Sequence, residues 1–590
     1  MNKTVKKMRR NRERRRRKEK IKLIIENGKG PKEIYKHGGQ KKITSMLKAT
    51  GETTSDREEI LSICANFYKS LYEKSTEKPP TKMESSPDTD EVPPFTEKEI
   101  ENALEKMRKM KAPGNDGISS DIIKMGGQHT ITYITKAFNN ILYSRQIPEC
   151  WQEAKIIILH KKGDRRDIKN YRPISLLSHT YKLFTRVLQN RMEKVLDENQ
   201  PREQAGFRKG YSTTDHLQSL NQIIEKCHEY NLKLCVGFID YEKAFDSIEH
   251  FAIFEALRKI NINETYVQIL TNIYQKASAR IHLDNHVSEK FAIERGVRQG
   301  DPISPKLFTA AIEEIFKTAS LNKGILIDGE HLKDLRFADD VALCTENEQQ
   351  MEINLNIINK ESKKAGLRIH KDKTKYMTNY TSSNTITVED KNIEKVTEYK
   401  YLGQTIKMEE RTKTEVNRRI QAAWSCFGRY REIFNDENLP ISLKRQVFNQ
   451  CIVPTISYGC QTWPITRHTL KRLRTAQRAM ERKMMGIKIQ DQIRHTEIRQ
   501  KTKVLDIPKF ILHQKWKWAG HVGRREDTRW TKICTEWRPR TGKRARGRPG
   551  RRWSDDIRER AGTTWTRRTV DRGEWRSLLE GYILQWMDNA

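Results

Sequence analysis

Two adjacent carboxylates, Asp339 and Asp340, sit at the centre of the mostly apolar stretch Leu335-Arg-Phe-Ala-Asp-Asp-Val-Ala-Leu343. β-Formers on both sides of a tight Ala-Asp-Asp centre predict a strand, a two-residue turn carrying both carboxylates, and a second strand. Neighbouring carboxylates at such a tip repel one another and lose hydration, which is unfavourable unless a cation neutralises them. Hard oxygen ligands of this kind suit Mg²⁺, which keeps waters and substrate phosphate oxygens in its remaining positions. Alone, the nonapeptide is equally well an ordinary surface hairpin.

A second acidic strand narrows the choice. Leu232-Lys-Leu-Cys-Val-Gly-Phe-Ile-Asp240 is mostly apolar and ends in a carboxylate, so a shared sheet brings Asp240 to the Asp339 and Asp340 turn. Asp246 reads as a helix-start acid suited to the dipole, in a helix running to about Ile260. In Arg295-Gly-Val-Arg-Gln-Gly-Asp-Pro-Ile-Ser-Pro-Lys-Leu-Phe308, Gly296 and Gly300 permit close backbone approach, and Ser304 is placed to cap a helix beginning at Pro305. Upstream, Lys155 to Leu159 form a short buried strand, His160 to Asn170 a polar hairpin-like segment, and Tyr171 feeds a helix to Leu196. Lys161, Lys162 and Arg172 then surround one junction, as exposed bases or as donors to a triphosphate or template strand.

The formal charge of +36 over 590 residues calls for a polyanionic partner over an extended surface. Nucleic acid fits better than a membrane, because no apolar run approaches the roughly 18 residues of a spanning helix. Nine cysteines without a C-x-x-C pair read as reduced thiols of an intracellular protein. Between Lys3 and Lys22 lie thirteen Lys or Arg and two Glu, a basic arm that is a solvated helix, a nuclear address or a phosphate-tracking segment. Ser55 with Glu58 is spaced to cap a helix carrying Ile60, Ile63, Cys64, Phe67 and Leu71, and Lys74 to Pro94 has linker chemistry. Thr96 with Glu99 starts a helix whose inner face runs to Met107 and Met110.

Gly237-Phe-Ile-Asp-Tyr-Glu-Lys-Ala-Phe-Asp246, Gly296-Val-Arg-Gln-Gly-Asp-Pro-Ile-Ser-Pro305 and Phe337-Ala-Asp-Asp340 resemble, in order and spacing, successive core motifs of reverse transcriptases. Tyr171-Arg-Pro-Ile-Ser-Leu-Leu177, Gln204-Ala-Gly-Phe-Arg-Lys-Gly-Tyr-Ser-Thr213 and Tyr399-Lys-Tyr-Leu-Gly403 narrow the resemblance to non-LTR retrotransposons, the long interspersed elements. It implies an α+β right-hand polymerase with an antiparallel palm sheet and helical fingers and thumb, extending a DNA primer with dNTPs on an RNA template. Asp240, Asp339 and Asp340 would bind two Mg²⁺ (or Mn²⁺) ions. Phe245 resembles the aromatic gate against a 2′-hydroxyl; Lys161 and Arg172 resemble residues that hold the triphosphate. Gln299 and Gly300 resemble the loop along template and incoming base, Lys373 or Lys371 the proton donor to pyrophosphate, and Tyr401, Leu402 and Gly403 the primer grip. Arg208 falls in a motif expected to touch nucleic acid.

The implied organisation is a basic arm, helix and linker (1–95), fingers and palm (96–410), a helical thumb (411–505) and a tail (506–590). Thumb helices are expected from Thr412 to Phe434, Ser442 to Cys451 and Arg467 to Met485. Eight of eleven tryptophans follow Lys515, interleaved with arginine, so this basic tail either stacks bases and contacts phosphates through residues such as Arg546, Arg548, Arg551 and Arg552 or folds around a small tryptophan core. No endonuclease of the usual length is expected before Thr96. The expected location is nucleus and cytoplasm, as a ribonucleoprotein. The alternatives are a nucleic-acid-binding remnant with an idle site and, more remotely, a maturase-like splicing factor.

Overall fold

A computed structural model describes residues 43–74, 91–409, 411–544, 546–547 and 550–587, with isolated positions between Thr4 and Leu23. Most of the basic arm, the linker from Ser75 to Asp90, and Arg548 lie outside the described residues. Two compact units emerge, one built from residues 43–212 and 234–395 and the other from 213–233 with 396 onward.

In chain order the first unit is framed by α1 (Arg57–Tyr72), β1 (Glu153–His160), β2 (Tyr171–Leu176), α2 (His179–Glu198), β3 (Cys235–Ile239), β4 (Ser278–Leu283), α3 (Ser304–Ala319), β5 (Asp334–Phe337), β6 (Asp340–Thr345), α4 (Glu348–Lys364), β7 (Lys375–Thr378), β8 (Ile386–Val388) and β9 (Lys391–Lys395). Helix α1 is capped by Asp56, whose side chain accepts from Glu59 N at 2.8 Å, so the expected cap at Ser55 moves by one residue. Its buried face is Ile60, Cys64, Tyr68 and Tyr72, spaced one helical turn apart. The Thr96–Glu99 capping box forms as expected, but its helix stops at Glu105. Met110 is exposed with φ +56°, because its amide turns to the Asp121 carboxylate at 2.8 Å. At α3 the cap is Ile303 without a side-chain bond, and Ser304 is the first helical residue rather than the cap.

Two sheets organise this unit. One carries β2, β1 and β4 in that order; β1 pairs with β2 antiparallel, Lys155 opposite Leu176 to His160 opposite Tyr171, and with β4 in parallel. This unit therefore contains a mixed sheet beside its helices. The other has the order β5-β6-β3-β7-β9-β8, antiparallel throughout except between β7 and β9. Every residue of central β3 is buried, as its continuous apolar run requires. At Gly237 an added Cβ would fall 2.6 Å from Met351 Sδ, so glycine is what lets α4 lie close across the sheet.

The second unit is helical after one hairpin, Glu398–Tyr401 with Gln404–Lys407. The helix expected from Thr412 to Phe434 breaks at Tyr430 into Arg411–Arg429 and Arg431–Phe434, and Ile441–Val447 runs on through a wider π turn, Phe448–Ile452. Seven of the eight late tryptophans are buried, so of the two expectations for the tail it is the tryptophan core that forms. Trp516 stacks on Trp575 at 4.1 Å between centroids, and each indole N–H donates to the other's carbonyl, at 2.9 and 3.2 Å. Beneath them Lys515 and Asp556 form a fully buried ion pair at 2.8 Å, completed by the Tyr582 hydroxyl at 2.7 Å. Helix Thr213–Glu229 belongs to this unit: Lys226 donates to the carbonyls of Cys534 and Thr535 at 2.7 and 3.0 Å, and Asp215 pairs with Arg525 at 2.5 Å.

Removing one partner of a buried pair strands the other charge. Asp556→Ala is expected to lower stability by about 3–5 kcal/mol, read as a shift in the urea midpoint of tryptophan fluorescence; an unchanged midpoint would show that the pair does not hold this core.

Candidate active site

Register brings the acids together. In the β3–β6 ladder Val341 faces Ile239, so the next residue outward on each strand is an aspartate, Asp340 beside Asp240. Phe337 pairs with Asp340, which makes Ala338-Asp339 the two-residue turn. The expectation that both carboxylates ride on the turn is corrected: Asp340 already belongs to β6, and this is what sets it alongside Asp240. Ala338 adopts φ +57°, uncommon for a side-chain-bearing residue, and a strap holds it there. Gln204 Oε1 accepts from the amides of Ala338 and Gly206 at 2.9 and 2.8 Å, while its Nε2 donates to Glu313 at 3.0 Å. Glu313 pairs with Arg336 at 2.9 Å, and Arg336 with Asp334 at 2.8 Å. A Cβ on Gly206 would lie 2.4 Å from Ala338 N, so that glycine permits the close approach.

Burial and the charge of Asp240 raise Asp339 above the usual carboxylate range, and burial with the charges of Asp339 and Asp240 pushes Asp340 up to about 6. Lys161 and Arg172 oppose both shifts. Burial and the neighbouring Arg172 charge lower the Lys161 ammonium. Among the described residues no group of three His, Cys, Asp or Glu side chains already converges at ligating distance. The donor chemistry nevertheless fits a divalent ion, being hard carboxylate oxygens whose mutual repulsion only a cation relieves.

Asp240 and Asp339 open on a cavity of about 790 Å³ that they share with Lys161, Arg172, Phe245, Gln299 and Lys373, while Asp340 is not among its lining residues. Phe245 lies stacked on Phe308, with centroids 4.1 Å apart. Gln299 donates to Asp246 at 2.8 Å and accepts from Ser175 N at 2.9 Å. Gly300 stands at φ +119°, where a Cβ would meet Ser175 O at 2.8 Å; its glycine packs the loop against β2. Of the two candidate lysines, Lys373 lines the cavity, while Lys371 pairs with Glu389 at 2.9 Å.

The sequence reading missed one cavity residue, Lys243, and the burial of another, Asp246. Asp246 sits in the first turn of a four-residue helix, Ala244–Ser247, but is buried, accepting from Gln299 and, at 3.3 Å, from the Tyr72 hydroxyl. Burial pushes it up to about 6 against the pull of Lys243. Lys243 itself takes φ +45°, places its ammonium 4.0 Å over the Phe67 ring and is brought down to about 8 by burial. Their partners lie on α1, far away in sequence, so no local spacing announced them.

Residues 159–406 match the family described as Reverse transcriptase (RNA-dependent DNA polymerase). A transposon-derived protein of Caenorhabditis elegans is 30% identical over 274 residues, 43% of this chain and 97% of that protein. The chain belongs to the reverse transcriptase family. The RNA-directed DNA polymerase from mobile element jockey of Drosophila melanogaster is 24% identical over 406 residues, 66% of this chain but 44% of that protein. The chain thus spans under half of that relative, and other relatives carry the names of retrotransposable elements or of RNA-directed DNA polymerases from transposons, in keeping with the retrotransposon branch expected from the motifs. An apo telomerase from Candida tropicalis, truncated from its C-terminal domain, aligns with TM-score 0.33 and 14% identity over 48% of this chain and 59% of that one. The fold is the α+β right-hand polymerase of the family.

In this chain the remaining predicted site residues divide by unit. Arg208, in the first, donates to Pro201 O and Gln204 O at 2.6 and 3.1 Å and stacks over Tyr211, which closes a loop. In the second, Tyr401, Leu402 and Gly403 form a hairpin tip with Leu402 at φ +44° and Gly403 at φ +79°. The Tyr458 hydroxyl donates to Leu402 O at 2.8 Å, Arg418 to Gly403 O at 2.6 Å, and fully buried Glu415 accepts from Thr405 N at 2.9 Å. Arg552 pairs with Glu229 at 2.6 Å and Arg551 with Glu559 at 2.8 Å, which ties the tail into its own unit; Arg546 is exposed.

The elevated Asp340 fixes the sign of a pH effect. Its folded pKa, about 6, exceeds an unfolded value of about 3.9, so the folded state holds the proton longer and metal-free stability falls as pH rises from about 4 to 6. Asp340→Asn is expected to flatten that decline in denaturant midpoint measured with EDTA; an identical slope in the variant would contradict it.

Proposed function

We propose that the chain is an RNA-directed DNA polymerase that extends a primer 3′-hydroxyl with dNTPs on an RNA template. The observation that carries this reading is the pairing of Asp240 with Asp340 at adjoining strand ends, beside a basic cavity of nucleotide size. The primer 3′-oxygen attacks the α-phosphorus, the bond to the bridging oxygen breaks, and pyrophosphate leaves. Asp240, Asp339 and Asp340 would hold divalent ions, which lower the pKa of the hydroxyl and neutralise the leaving group when bound. Lys161 and Arg172 face the triphosphate, where arginine's planar fork suits phosphate oxygens. Lys373 is placed to give a proton to departing pyrophosphate. Phe245, buttressed by Phe308, closes the space a 2′-hydroxyl would need. Gln299, positioned by Asp246 and by Gly300, borders the template and incoming base. Tyr401, Leu402 and Gly403 hold the primer at the end of fingers and palm (96–410), which a thumb region of 411–505 follows. The arm of 1–95, with the exposed arginines of the 506–590 tail such as Arg546, adds nucleic-acid contact, and the particle works in nucleus and cytoplasm. No described helix is long and apolar enough to cross a membrane.

Primer extension on poly(rA)–oligo(dT) with dTTP and Mg²⁺ tests this. Wild type is expected to extend, and Asp339→Ala to lose at least about 100-fold of the rate, on the scale of losing one electrostatic stabiliser, while still binding the primed template. Binding without extension by either protein would leave a nucleic-acid-binding remnant. Phe245→Ala is expected to admit ribonucleotides, read as rUTP incorporation relative to dTTP; unchanged sugar selection would remove the gate assignment.

A further inference from the structure

Phe207 does nothing in the mechanism above, yet its setting is unusual. The residue is 47% exposed and takes φ +56°, a region that costs a bulky side chain free energy and persists only where the surroundings over-determine it. The surroundings here do so. On one side Gly206 is bound to Gln204 Oε1 at 2.8 Å, the same oxygen that holds Ala338 in the Asp339 turn at 2.9 Å. On the other, Arg208 closes the loop through Pro201 O and Gln204 O at 2.6 and 3.1 Å. The ring meets Phe245 edge-on, at 6.1 Å and 79°, and nearly half the residue's surface remains open. A strained, rigidly mounted aromatic left in water beside a nucleotide cavity has the properties of a stacking platform, since every base or sugar offers an apolar face to it.

We propose that Phe207 is a nucleotide-binding residue, whose ring packs on the base or sugar of the nucleotide lodged at the Asp339 turn. This rests on the polymerase reading. Two sources share that chemistry, the incoming dNTP and the primer's terminal nucleotide, and two measurements separate them. Phe207→Gly removes the ring and accepts φ +56° without strain, so it is expected to keep the wild-type melting temperature. It should raise KM for dTTP about tenfold if the ring serves the incoming nucleotide, or raise Kd for poly(rA)–oligo(dT), read by anisotropy without dNTP, about tenfold if it serves the primer end. Phe207→Tyr should restore the affected constant. Both constants within twofold of wild type would overturn the proposal, as would a lower melting temperature in the glycine variant, which would make the ring a packing residue. A wild type that fails to extend would sink the polymerase reading separately, and the primed-template Kd would then decide the role of Phe207 alone.

Discussion

Three aspartates at the adjoining ends of β3 and β6 repel one another, and much of the first unit can be understood as what holds them there. A sheet tolerates like charges side by side only if its register is pinned from elsewhere. Here β3 is buried along its whole length, and the β5–β6 turn is gripped by Gln204, which is itself held by Glu313. The Glu313–Arg336–Asp334 chain of ion pairs lies directly beneath, with its groups buried. Loss of any one member leaves its partners charged and dry. The carboxylates therefore keep their places although burial, and after it their mutual repulsion, raises Asp339 and Asp340.

The same logic runs outward from the turn. Gln299 reaches the cavity because Asp246 receives its amide and Gly300 lets its loop close on β2. Phe245 faces the cavity because Phe308 lies flat behind it. In the second unit the tip at Leu402 and Gly403 is held by Glu415, Arg418 and Tyr458. In each case a strained or exposed functional element is mounted on a buried polar or aromatic support, as preorganisation requires.

How much of this was legible depended on range. Asp240, Asp339 and Asp340 were readable because each ends or begins a short apolar strand, and motif order tied the strands together. Thr96 announced its capping box for the same local reason. Asp246 starts a short helix as read, but its burial was hidden because its partner Tyr72 lies on α1, and Lys243 was missed because Phe67 does. The internal partners of Arg208, Arg551 and Arg552 were not legible, since a sequence shows charge without showing its partner. The late tryptophans allowed two readings, and the composition that suggests base stacking is also what a small aromatic core needs.

Local chemistry by itself determined the strands, the carboxylates at their ends, the family motifs and the basic character of the chain, because these follow from periodicity, turn geometry and charge within a few residues. Only the tertiary structure decided which charges are spent on internal pairs and which stay open, and which aromatics are buried and which, like Phe207, face water. Those outcomes turn on desolvation and on partners brought from distant segments: a lone buried charge is too costly to keep, so the fold supplies Asp556 to Lys515 and Glu313 to Arg336.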